Sequence, residues 1–100
     1  MLAHNVFFTL KNPQPAAIEH LLAQCRQYLA GHAGVEFFGC GTLSDLDRPP
    51  LNDRNFHVGL HMIFKARAAH DAYQVHERHL RFIEENKDGW SQVRVFDTDL

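Results

Sequence analysis

Strict alternation of apolar and polar residues predicts a first strand over residues 3–10. One face of this strand would carry an imidazole and three apolar side chains, namely His4, Val6, Phe8 and Leu10. The opposite face would carry Asn5, Phe7 and Thr9. Because each face includes an aromatic residue, we expect both faces to be at least partly buried.

The apolar spacing changes to a helical period after residues 12–15, which contain two prolines. The apolar stripe of this first helix comprises Ile18, Leu21, Leu22, Cys25, Tyr28 and Leu29. Gly31 and Gly34 supply a stop, and residues 35–43 read as a second strand with glycines at 39 and 41.

A polar loop over residues 44–55 separates this strand from a third one at residues 56–64. The third strand would turn one apolar face toward the helices, made of Phe56, Val58, Leu60, Met62 and Phe64. Residues 66–85 have helical composition, with an inward stripe of Ala69, Ala72, Tyr73, His76, Leu80 and Ile83. A final strand follows at residues 90–98, with Val93 and Val95 on one face and Arg94 and Phe96 on the other.

The order βαββαβ predicts an α+β protein with a ferredoxin-like fold, in which an antiparallel four-stranded sheet carries both helices on one face. Residues 1–100 would form a single domain. Nothing in the chain covers the other sheet face, although it would hold Phe7, Ile63 and Phe96. We therefore expect a homodimer that forms through this open sheet face.

Composition excludes several classes of protein. A net charge of -2 and a pI near 6.4 give no reason to expect nucleic acid or an anionic membrane as a partner. No apolar run approaches the roughly 20 residues of a membrane span, and the first residues lack the features of a signal peptide. We therefore expect a soluble cytoplasmic protein. Cys25 and Cys40 form no CxxC pair and are expected to be free thiols.

The segment from Tyr73 to His79 contains the most side chains that could take part in catalysis. It places one phenol (Tyr73) and two imidazoles (His76 and His79) within seven residues. These side chains can transfer protons near neutral pH. The other histidines are dispersed along the chain, and His20, His32 and His70 are expected at the surface.

The chain resembles a stress-responsive dimeric α/β barrel (Dabb) domain in four segments. These are residues 3–11, the strand ending at Phe64, the Tyr73-x-x-His76-x-x-His79 segment and residues 95–97. The resemblance extends over almost the whole chain. It implies two ferredoxin-like subunits whose sheets face each other to form a barrel. One branch of the family is similar to the plant polyketide cyclase that forms olivetolic acid, in which a Tyr and a His act on a linear polyketide thioester.

Carried over by position, this resemblance implies catalytic roles for Tyr73 and His79, with His4 in the first strand nearby. His79 would take or relay a proton next to a carbonyl, Tyr73 would hydrogen-bond the developing enolate oxygen, and His4 would orient His79 or share its proton. The chain departs from the pattern at Glu77, where the family usually has proline. It also departs at Val58, where the cyclase has a helix-facing histidine.

An apolar pocket between sheet and helices would hold an aromatic or acyl ligand. Its predicted lining is Val6, Phe8, Leu60, Met62, His76, Trp90 and Val95. On a continuous helix, however, Tyr73 and His79 would project roughly 120° apart. The site therefore requires a break near His76, a break that proline at position 77 would favour and Glu77 does not.

Two hypotheses remain open at this stage. The first is a small-molecule enzyme or binding protein that uses Tyr73, His79 and His4, and the second is a non-catalytic homodimer whose histidines are structural. A pocket that reaches Tyr73 and His79 would favour the first. A metal ion bound by His76 and His79 lacks a third ligand at diagnostic spacing, so we predict no metal site and no cofactor.

Overall fold

The computed structural model describes residues 1–100, which form four strands and three α-helices. In chain order these are β1 (Leu2–Leu10), α1 (Pro15–Leu29), β2 (Val35–Thr42), β3 (Val58–Phe64), α2 (Arg67–Val75), α3 (Glu77–Asn86) and β4 (Trp90–Asp99). A short 3₁₀ turn at Lys87–Gly89 leads into β4.

The sheet has the strand order β2-β3-β1-β4, and every neighbouring pair is antiparallel. In the centre, Val6 of β1 lies opposite Leu60 of β3 and Val95 of β4. This order and the helices that follow β1 and β3 confirm the predicted ferredoxin-like fold.

The core lies between the sheet and the helices. The alternation read from β1 is borne out, because its even-numbered residues are buried and its odd-numbered ones are partly exposed. The same face of β3 contributes Val58, Leu60, Met62 and Phe64, each at most 1 % exposed. Helix α1 packs Leu21, Leu22, Cys25 and Leu29 against them.

Two expectations about the buried faces are wrong. Phe56 precedes the paired part of β3, and its ring packs on Phe7 on the open sheet face, with centroids 4.9 Å apart. The helical stripe predicted through His76 and Leu80 also fails, since both side chains are exposed. The helix ends at Val75 and restarts at Glu77, which changes the phase of the buried side.

The open sheet face carries a cluster of aromatic side chains around Phe7, which we call the aromatic cluster. Phe56, His61 and Phe96 surround Phe7 with ring centroids 4.9–5.9 Å away. Phe96 and the nearby Phe37 remain about half exposed, at 51 % and 53 %. No helix combines the length and apolarity needed to cross a membrane.

Candidate functional site

A one-residue break between α2 and α3 shapes the site. His76 has extended backbone angles (φ -66°, ψ 141°), and its Nδ1 accepts a 3.0 Å hydrogen bond from the Arg78 amide. In a continuous helix that amide would bond the carbonyl of Gln74. His76 thus acts as the N-cap of α3, which replaces part of the lost backbone bonding.

The side chain of Arg78 fixes the position of the break against α1. Its guanidinium donates to the carbonyl oxygens of Gln27 (2.8 Å) and Ala30 (2.9 Å), at the end of that helix. These carbonyls lack intrahelical partners, so each bond satisfies a group that would otherwise need water. Tertiary contacts and a histidine cap therefore hold the break that a proline would favour.

His32 lies beneath the break, contrary to the expectation that it is a surface residue. It is 8 % exposed, and its Nε2 donates to the carbonyl oxygen of Tyr28 at 2.7 Å. Its ring lies edge-on to His76 and Tyr73, with centroids 4.8 and 4.9 Å away. Burial is the main reason that the pKa of His32 is lowered, so the neutral ring is favoured. His20 is exposed, as expected.

We expect Glu77→Pro to stabilise the protein. Residue 77 is the first residue of α3, where proline fits and the amide has no intrahelical partner, and the angles of His76 suit a residue before proline. The gain should be about 0.4–1 kcal/mol, which corresponds to a rise of roughly 2–8 °C in Tm. Thermal unfolding followed by circular dichroism measures it.

Glu77→Ala is the matched control, because it removes the same exposed ion pair with Arg81 (3.6 Å) without restricting the backbone. Its Tm should stay close to that of the wild type. A proline variant less stable than this alanine variant would contradict the break at His76.

The break brings Tyr73 and His79 together, with ring centroids 4.5 Å apart. His79 is 9 % exposed, and its Nδ1 donates to the Gln74 carbonyl at 3.0 Å, an oxygen freed by the break. Because a carbonyl only accepts hydrogen bonds, this contact assigns the proton to Nδ1 and leaves the lone pair on Nε2. Burial is the main cause that lowers the pKa of His79, so the imidazole is neutral near pH 7.

Tyr73 is held as a neutral phenol. It is 2 % exposed, and burial raises its pKa well above the ordinary value. No side chain or carbonyl accepts a hydrogen bond from the Tyr73 hydroxyl. The hydroxyl oxygen is also not fully enclosed, because the only fully enclosed side-chain polar atom without a partner is Arg94 Nε. The hydroxyl proton therefore has no acceptor within the chain.

His4 is a third polar residue at this site. It is 4 % exposed, and its Nδ1 lies 2.6 Å from a carboxylate oxygen of Asp97 on β4. Its ring centroid is 6.1 Å from that of Tyr73. Asp97 fixes the orientation of this imidazole, whereas His79 is oriented by Gln74.

These groups line a cavity of about 170 Å³ between the sheet and the helices. Its wall includes His4, Val6, Phe8, Leu29, Leu60, Tyr73, Gln74, His79, Phe82, Ile83, Trp90, Val93 and Val95. It opens beside edge strand β4, where Val93 and Val95 are 38 % and 50 % exposed.

Two residues predicted to line the cavity do not. Met62 is fully buried in the core behind the wall, and His76 caps α3 on the outer surface. Sequence reasoning missed Leu29, Gln74, Phe82, Ile83 and Val93. Val93 was recoverable, because it alternates with Val95 on the same face of β4. Ile83 was also recoverable, because it lies on the predicted inward stripe, whereas Phe82 was not, because the break changes which side of α3 faces inward.

Other features contribute less to the chemistry. A larger surface cleft of about 400 Å³ lies on the outer side of Trp90, and none of Tyr73, His79 or His4 reaches it. Both cysteines are free, and burial raises the pKa of Cys40 and raises that of Cys25 to about 12. Neither thiol is therefore an activated nucleophile.

Comparisons with known proteins agree with this architecture. Residues 2–100 match the profile of the Stress responsive A/B Barrel Domain, abbreviated Dabb. A Dabb protein from Mesorhizobium loti with a ferredoxin-like fold is 24 % identical, with a TM-score of 0.80 over 99 % of this chain and 95 % of that one. A search of curated proteins gave no match.

Two further solved structures share the fold. A dimeric ferredoxin-like protein from Thermobifida fusca is 14 % identical, with a TM-score of 0.80 over 99 % of this chain and 90 % of that one. A hydroxynitrile lyase from Passiflora edulis is 21 % identical, with a TM-score of 0.74 over 99 % of this chain and 92 % of that one. Together with the profile match over nearly all residues, the fold and its element order place this chain in the stress-responsive A/B barrel (Dabb) family.

Proposed function

We propose that this protein binds a small aromatic or acyl compound in the cavity and transfers a proton at a carbon next to its carbonyl group. The observation that carries this proposal is the convergence of Tyr73 and His79 in one cavity, with rings 4.5 Å apart. One residue offers an unprotonated nitrogen and the other a free hydroxyl donor. A proton transfer that forms an enolate is accelerated by a base and by a hydrogen-bond donor to the oxygen, and His79 and Tyr73 can supply these two groups.

In the proposed step, His79 Nε2 takes a proton from the carbon, the electron pair of that C–H bond forms a C=C bond to the carbonyl carbon, and the π pair of the C=O bond moves onto the oxygen. The hydroxyl of Tyr73 donates a hydrogen bond to the oxygen as negative charge develops there. The proton then returns from His79 to carbon. His4, oriented by Asp97, adds a second polar group to the same wall.

Cavity size restricts the ligand. A volume of about 170 Å³ is close to that of an engineered apolar cavity of about 150 Å³ that binds benzene. It is smaller than the roughly 300–1,000 Å³ of sites for drug-sized ligands. One ring with a short substituent fits, whereas a long polyketide chain would extend out past Val93 and Val95. The hydroxynitrile lyase with this fold also fits a role in small-molecule chemistry.

We further propose that the protein works as a homodimer through the open sheet face. The aromatic cluster leaves Phe37 and Phe96 half exposed on a face that no helix covers. Gly39 and Gly41 in β2 present little side-chain bulk beside them, so a second sheet can approach closely. The similar Thermobifida fusca protein is described as dimeric.

Binding can be tested through Trp90, which lines the cavity and is the only tryptophan in the chain. Phenylacetone, which has one ring and a methylene group next to a carbonyl, should change its fluorescence in a saturable way. Val95→Phe places extra volume at the mouth of the cavity and should weaken this binding by at least about tenfold, a loss of roughly 1.4 kcal/mol.

The matched control is Val75→Phe, an identical change at an exposed position outside the cavity wall. It should bind phenylacetone as the wild type does. Equal affinities of the wild type and Val95→Phe would show that the ligand lies elsewhere. The absence of any saturable signal would favour the alternative, a non-catalytic homodimer with structural histidines.

A further inference from the structure

We propose that His4, His70 and Asp97 form a binding site for one Zn²⁺ ion per chain. The three residues come from β1, α2 and β4, so no sequence spacing connects them. One imidazole nitrogen of each histidine and one carboxylate oxygen of Asp97 all lie within 4.8 Å of one another. This site differs from the pair His76 and His79, whose ring nitrogens face separate backbone groups.

Two imidazoles and one carboxylate are ligand types that suit Zn²⁺, a divalent ion intermediate between hard and soft metals. Zn²⁺ is bound by imidazole nitrogen and carboxylate oxygen at about 2.0–2.2 Å, which places tetrahedral ligands roughly 3.4 Å apart. The His4 nitrogen and the Asp97 oxygen are 2.6 Å apart and would separate by about 0.8 Å around the ion, while a His70 nitrogen at the 4.8 Å limit would move inward by about 1.4 Å. The ion would replace the proton that His4 Nδ1 and the Asp97 carboxylate share in this short contact.

The hydrogen bonds around His70 also support zinc binding at this site. Asp71 lies 3.1 Å from His70 Nδ1, an arrangement that fixes the tautomer and leaves the lone pair on Nε2. Carboxylates commonly orient metal-binding histidines in this way. The only contact at Nε2 is with the Gln74 side-chain amide at 3.3 Å, which an ion would replace.

Charge and access also favour a cation. His70 and Asp97 line a polar cavity of about 250 Å³ together with Asp99 and Arg67. The guanidinium of Arg67 is paired with Asp71 at 3.2 Å, and the carboxylates of Asp97 and Asp99 contribute negative charge at the cavity. The Asp97 side chain is 43 % exposed, which provides an entry path, whereas the His4 side chain is only 5 % exposed and anchors the inner side. With three protein ligands, the fourth position would hold water.

Zinc binding by untagged protein tests this inference, measured by equilibrium dialysis with metal quantification and by the visible absorption of bound Co²⁺. One ion should bind per chain. His70→Gln and Asp97→Asn should each weaken binding by more than about 100-fold, and Asp71→Asn, which alters a positioning residue, by about 10–100-fold. Circular dichroism verifies that each variant is folded.

His20→Gln and His61→Gln remove histidines that lie outside the site, and zinc affinity should be unchanged in both. Wild-type affinity in His70→Gln and Asp97→Asn would overturn the proposal, as would much less than one ion per chain in the wild type. The measurement needs no substrate, so its outcome is independent of the proposed proton transfer.

Discussion

His79→Gln should reduce the exchange of deuterium into the methylene group of phenylacetone by roughly 10²–10⁴-fold, the usual contribution of a general base. Glutamine has similar size and keeps a donor for the Gln74 carbonyl, but it offers no basic nitrogen in place of Nε2. Exchange can be followed by proton NMR in D₂O, with the rate in buffer alone subtracted.

Tyr73→Phe tests the other half of the pair. Loss of one oxyanion donor should slow exchange by about 10²–10³-fold, while stability should change little because the hydroxyl has no partner inside the protein. His20→Gln is the control for loss of an exposed histidine and should leave the rate unchanged. Wild-type exchange in His79→Gln would remove that residue from the catalytic role.

The rate of deuterium exchange should fall at acidic pH, because protonated His79 cannot act as a base. Burial lowers the pKa of His79 below its ordinary 6.5, so exchange should persist somewhat below pH 6.5 and fall only as pH drops through the lowered pKa. The raised pKa of Tyr73 keeps the donor protonated on the alkaline side.

The lowered pKa of His79 also affects the free energy of unfolding. This free energy should decrease as pH falls from 6.5 through the lowered pKa, because the unfolded chain takes up the proton first.

If the proposed homodimer forms through the open sheet face, Phe96→Asp should convert it to a monomer. The substitution places a carboxylate in the half-exposed aromatic cluster, and a two-fold contact would contain two of them. An uncompensated buried charge costs about 3–5 kcal/mol, which corresponds to a dimer dissociation constant weaker by roughly a hundred- to several-thousand-fold. Sedimentation velocity or light scattering over a range of concentrations measures the change in mass.

Leu80→Asp is the matched control, since Leu80 is 52 % exposed but lies on α3, away from the open sheet face. This variant should retain the mass of the wild type. If Phe96→Asp also remains dimeric, the two copies associate through a different surface. If the wild type is monomeric at high concentration, no dimer of this kind forms.

The sequence determined much of the fold because strands and helices have distinct periods. Alternation in β1 correctly separated the buried side with Val6 and Phe8 from the open side with Phe7. The order of the elements predicted the antiparallel sheet, and alternation placed Leu60 and Val95 on strand faces that line the cavity. It failed at Phe56, where the paired strand had not yet begun, since alternation continues in sequence whether or not a partner strand is present.

The site depended on events that periodicity does not describe. Whether Tyr73 and His79 meet depends on one residue, His76, whose extended backbone is stabilised by its own imidazole and by Arg78 bonds to α1. Those bonds join residues about fifty positions apart, so local propensity at Glu77 could not reveal them. The partnership of His4 with Asp97 spans 93 positions and arises only when β1 and β4 pair.

The chain by itself therefore determined the element order and the sheet faces, because both rest on local periodicity and on residue order, and the residues of its motifs carried the resemblance to the family. Only the tertiary structure decided which histidines are buried, where the helix breaks and which side chains enclose the cavity. These features depend on long-range hydrogen bonds and on packing between elements. A break that resets the helical phase moved Leu80 outward and turned His79 and Phe82 inward.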